Sequence, residues 1–150
     1  MPILAERIGA GDNTRSAKVV TASLKITTAI TLPLAIIGAL LAKYIMGAYG
    51  SGFTGDWPVL VVSLMTCVVV AAQVPVGNLI AATGRMWDGV GMNLLWAIVF
   101  MGGTWCSMEW GVLGLVSARF VACVAQGVWG CIFAALWIRS TARQSPAHIP

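Results

Sequence analysis

Very few side chains capable of polar chemistry lie inside the uncharged stretches of this 150-residue chain, and those few set the terms of its function. Arg119 is the one charge inside the run from Gly111 to Ile138. Gln126 follows it by seven residues, which returns to the same helical face, with Cys123 between them. Gln73, Pro75 and Asn78 cluster in the run from Trp57 to Gly84, and Pro33 interrupts the run from Ile26 to Ala42. A guanidinium and three carboxamides can hold an anion and hydroxyls, whereas acid–base or nucleophilic catalysis needs groups absent from these runs. No acidic residue falls within any of them, and there is no Walker-type loop, paired carboxylate or Ser/His/Asp set. Cys67, Cys106, Cys123 and Cys131 match no zinc spacing and read as small packing residues. An enzyme is not expected, nor is a metal or cofactor.

The elements that must position these residues follow from length and polarity. A hydrocarbon core of about 30 Å takes roughly 20 helical residues. The chain supplies that length four times, with 59% hydrophobic and 9% charged residues and a mean hydropathy of +0.88. Too little polar sequence remains to wet the surface of a soluble protein, whose charged fraction averages about 25%. Inside lipid every backbone amide needs an internal partner, which leaves helices or a closed barrel, and these runs lack the alternation of barrel strands. The expected fold is an all-α membrane protein with four transmembrane helices, at about 26–46, 57–83, 89–108 and 111–138. Residues 1–25 form a cytoplasmic loop or amphipathic segment, in which Asp12 or Asn13 caps a short helix running through Val19, Val20 and Leu24 into the first span, and residues 139–150 form a cytoplasmic tail, disordered from Ser140.

Orientation follows from the basic residues. Arg7, Arg15, Lys18, Lys25, Arg85, Arg139 and Arg143 fall on one side of a four-span arrangement, and only Lys43 on the other, with Asp56 and Glu109. Both termini are therefore expected in the cytoplasm. The net charge of +4 is a topology signal, and a nucleic-acid partner is not needed to account for it. Trp57, Trp110 and Tyr44 mark outer span ends and Trp87 and Trp137 inner ones, while Trp96 and Trp129 sit mid-span as packing or cavity residues.

Placing Arg119 inside a span costs about 2.5–3.5 kcal/mol on insertion scales. Two placements offset that: its stem snorkels to the interface, or it faces a wet cavity and attracts an anionic headgroup. Gln126 would then belong either to the same site or to a helix–helix hydrogen bond. Pro33 and Pro75 each remove a backbone hydrogen bond, creating a static kink or a hinge. Two rows of small residues, Gly114/Ala118/Ala122 and Gly127/Cys131/Ala135, are spaced for close helix packing.

The order of short motifs resembles a known family. Pro2-Ile3-Leu4-Ala5-Glu6 with Gly11-Asp12 is similar to a P-x-L-x-E…G-D loop, and Met46-Gly47-Ala48-Tyr49 with Trp57-Pro58-Val59-Leu60 to an F-G-x-x-Y…A-x-x-V-L loop and helix start. Leu79-Ile80-Ala81-Ala82-Thr83-Gly84-Arg85 looks like an L-x-A-x-G-R ending. Trp110 to Ala118 resembles Y-G-x-x-G-A-A-x-A, with Leu115 and Val116 where Ala is usual. Across nearly its whole length the chain thus resembles the C-terminal portion of oligosaccharide (polysaccharide-export) flippases of the multidrug/oligosaccharidyl-lipid/polysaccharide exporter superfamily.

The resemblance implies the last four helices of a twelve-to-fourteen-helix bundle in the cell (inner) membrane. Such a protein moves lipid-linked oligosaccharide by alternating access in polysaccharide biosynthesis. Its implied partners are the glycolipid, membrane lipids and the remaining N-terminal helices, with no nucleic acid. Substrate contacts would fall to Arg119, Gln126, Gln73 and Asn78, and bending to Pro33 and Pro75. Two alternatives stand beside it: a small four-helix multidrug-type exporter, which lacks here the embedded Glu such proteins use, and a membrane scaffold or assembly subunit that docks through Arg119.

Overall fold

The computed structural model describes residues 13–143, with side chains described for 18–50 and 52–137. Arg7, Asp12, His148 and the motif around Pro2 lie outside the described residues. Among those described the fold is helical throughout, with helices α1 (Asn13–Leu40), α2 (Ala42–Tyr49), α3 (Trp57–Ala82), α4 (Met86–Cys106) and α5 (Gly111–Arg143). Two 3-10 turns, Ser51–Asp56 and Met108–Trp110, complete the connections.

Four segments are long and apolar enough to cross a bilayer: Lys18–Leu40, Gly52–Ala82, Met86–Cys106 and Met108–Trp137. They carry large apolar side chains outward along their length, among them Leu34, Ile98, Ile132 and Leu136. An outward surface of this kind requires hydrocarbon around it. The protein is a multi-pass, all-α membrane protein.

Local chemistry sets the helix ends. Pro58 sits in the first turn of α3, where its missing N–H would be unpaired in any case. The C-terminus of α3 closes on Gly84, whose φ of 71° is left-handed and costs a glycine nothing. Gly111, at φ 57° and ψ −133°, makes the corner into α5 that a side chain would strain. Hydroxyls within the spans fold back on their own helices: Thr31 donates to the Thr27 carbonyl and Thr66 to that of Val62, each at 2.8 Å.

α1 runs unbroken from Asn13 through Lys18 and Lys25 into the first span. The break comes at Leu41, with φ −89° and ψ 1°, and Lys43 falls in the separate helix α2, its Nζ 5.6 Å from the Trp57 ring centroid. Both prolines lie within continuous helix. Pro33 is exposed on the outside of α1, whereas Pro75 is buried. At the other end α5 continues to Arg143, beyond the predicted start of a disordered tail at Ser140.

The helices form an open row in the spatial order α1, α3, α5, α4. α3 and α4 are consecutive in sequence yet meet sparsely; both lean on α5. Close approach along the α4/α5 seam depends on small residues. A Cβ added to Gly103 would sit 3.1 Å from the Ala118 Cβ, and one added to Gly114 would run into the Ser107 carbonyl. The Gly114/Ala118/Ala122 row is buried as its spacing predicts. The second row is not, because Cys131 and Ala135 point outward and Gly130 takes the buried place against Val76 and Met92. Only Cys123 of the four cysteines is buried; Cys67, Cys106 and Cys131 are exposed, which corrects their reading as packing residues.

Candidate functional site

Arg119 leaves the first third of α5 into a lateral cleft of about 300 Å³ between α3 and α5. Ser63, Thr66, Cys67 and Val70 of α3 form the facing wall. Among the described residues Arg119 has no ion-pair or hydrogen-bond partner. Ser63 and Thr66 spend their protons on the carbonyls of Val59 and Val62, both at 2.8 Å, so their oxygens face the cleft as acceptors only. The guanidinium, with five N–H groups and a fixed charge, is therefore the strong donor of this cleft and has no carboxylate beside it. An anion with several oxygens fits that chemistry.

Gln126, about 10 Å along the helix from Arg119 by rise per residue, is engaged differently. Its Nε2 donates to Asn93 Oδ1 of α4 at 3.1 Å. The pair borders a hollow of about 340 Å³ beneath Gly77, Ala81 and Gly89. α4 contributes Asn93, which sequence reasoning passed over; the signal was a carboxamide inside an otherwise apolar span. Ser63 and Thr66 were missed too, since hydroxyls in lipid-spanning helices normally satisfy themselves and carry no pattern.

Gln73 does not join Arg119. Its Nε2 donates to the Cys123 carbonyl at 2.6 Å, crossing from α3 to α5, and the amide lies against Gly127. It borders a separate apolar groove of about 480 Å³ that Leu24, Val128 and Cys131 also line. Asn78 is half-buried in α3 and faces neither the Arg119 cleft nor the hollow beside Gln126. The four carboxamide and guanidinium residues expected to share a site are thus divided: Arg119 in an open cleft, Gln126 paired with Asn93, Gln73 holding α3 to α5, and Asn78 apart.

The described residues contain no group of three or more His, Cys, Asp or Glu able to hold a metal ion. No protein-family model, curated protein or solved structure matches the chain. Fold and site together define a class, a multi-pass helical membrane protein with an unpaired cation in a lateral intramembrane cleft.

Proposed function

We propose that this chain is the C-terminal four-helix portion of a flippase that moves lipid-linked oligosaccharide across the cell membrane for polysaccharide biosynthesis. The observation that carries the reading is Arg119, unpaired in its cleft between α3 and α5. A cation within a membrane span, without a counter-ion among the described residues, is costly unless it meets an anion during function, and the pyrophosphate of a lipid-linked glycan supplies one. The motif order from Met46 to Ala118 supports the same family, and so does the open row of helices, which leaves flanks for further helices to complete a cavity.

In this mechanism Arg119 draws the phosphates into the cleft while the acceptor oxygens of Ser63 and Thr66 receive hydroxyl donors. Alternating access exposes the cleft first to one side of the membrane and then to the other. The bias of the basic residues supports an orientation with Arg85 and both termini on the cytoplasmic side.

The test replaces Arg119 in the native gene by Ala and by Lys, with protein level and surface glycan measured together. Lost export with normal protein in Arg119→Ala, partly restored in Arg119→Lys, supports the reading. Full export in Arg119→Ala at normal protein level rules it out. Lost protein instead of lost export favours the scaffold alternative, in which Arg119 pairs with an acid on a neighbouring helix.

A further inference from the structure

We infer that the end of the bundle carrying Arg85 holds an anionic glycerophospholipid in a pocket built by α4 and α5. The pocket, about 460 Å³, is lined by Arg85, Asp88, Trp129, Phe133, Leu136 and Trp137. It is independent of the flippase reading, since it lies far along α5 from Arg119 and rests on different residues.

Its residues are graded by depth as a phospholipid is. Arg85 lies between the spans Gly52–Ala82 and Met86–Cys106, and Trp137 is the last residue of the span Met108–Trp137, so the polar end sits at headgroup level. Leu136 and Phe133 follow inward, and Trp129 lies about 12 Å deeper than Trp137 by helical rise. A phosphate at Arg85 would thus lead into an apolar trough running down α5 toward the hydrocarbon.

Arg85 is held ready for a phosphate. Its Nε donates to Asp88 Oδ2 at 2.6 Å, and its guanidinium carbon lies 5.1 Å from the centroid of the buried Phe133 ring. These two contacts fix the plane of the group and use one of its five N–H donors. The guanidinium meets no other described acceptor, and Arg85 lines the pocket. A planar fork with its stem ordered in advance loses little entropy on taking a phosphodiester. Asp88 both orients Arg85 and repels the ligand, so its charge sets the strength of the site.

The experiment extracts the full chain in mild detergent from vesicles holding equal amounts of phosphatidylglycerol and phosphatidylcholine with identical acyl chains. Native mass spectrometry then counts the lipids retained. Phosphatidylglycerol should be retained over phosphatidylcholine, with the preference falling about fivefold in Arg85→Gln, the size expected for one basic residue at a membrane surface. Asp88→Asn should raise the preference, an effect that a merely structural Arg85–Asp88 pair would not produce. Inorganic phosphate at millimolar concentration should not displace the lipid, because it has no chain to occupy the trough. Equal retention of both lipids by the native protein overturns the inference, as does displacement by inorganic phosphate. If Arg85→Gln fails to fold, an unchanged preference in Asp88→Asn overturns it.

Discussion

Gln73 reaches across the α3/α5 seam and donates its Nε2 proton to the Cys123 backbone carbonyl at 2.6 Å. The carboxamide stands two residues before Pro75, the residue that deprives α3 of a backbone N–H in its second half. A side chain therefore ties the two helices together beside the point where α3 is locally weakest.

Replacing Gln73 by Leu should remove this tie at nearly constant volume. The expected loss is about 0.6 kcal/mol, with about 1.7 kcal/mol as an upper bound, since hydrogen bonds between membrane helices are worth that much and the separated helices find other partners. Reversible unfolding in mixed micelles, compared with the parent, measures it; a gain in stability would show that the bond is not formed.

Gly114→Ala should be the most damaging small substitution in the α4/α5 seam. The new methyl meets the Ser107 carbonyl, which is backbone and cannot rotate away. Overpacking of this kind costs about 1–3 kcal/mol. Gly77→Ala serves as the control, because nothing lies within 4 Å of a Cβ there. Thermal denaturation in detergent should separate the two variants, and equal midpoints would contradict the described seam.

The Gln126–Asn93 bond predicts a coupling between α5 and α4. Single alanine replacements and the double replacement form a cycle whose interaction term should lie near the average of about 0.6 kcal/mol for such membrane pairs. Because the bond is exposed, additivity within error would assign both carboxamides to independent roles facing the hollow beneath Gly77 and Ala81.

If the Arg119 cleft admits water, Cys67 beside it should react with a small hydrophilic thiol reagent, and buried Cys123 should not. A hydrophilic reagent reaches only a thiol that water reaches, so a difference of about tenfold or more in labelling rate is expected. Comparable rates at Cys67 and at outward-facing Cys131 would place both in lipid and argue against a wet cleft.

Length, polarity and backbone chemistry alone fixed most of the architecture. Uncharged runs of the needed length can only be helices in lipid, whereas the positive φ at Gly84 and Gly111, legible in sequence only as run ends, is a finding of the structure. The buried Gly114/Ala118/Ala122 row was also readable, since close helix packing demands small residues at that interval. The first helix was harder to bound at its end: apolar residues resume past Lys43, yet α1 stops at Leu40 and a separate helix begins at Ala42.

Partnership between helices was decided only in three dimensions. Sequence places Arg119, Cys123 and Gln126 on one face of α5, but α3 covers the Cys123 carbonyl, α4 meets Gln126, and Arg119 is left facing the gap. Periodicity reports which direction a side chain leaves its own helix; it contains no information on which neighbour stands there. That is set by the order α1, α3, α5, α4, which depends on where glycines allow backbones to close and on which apolar surfaces fill the remaining space.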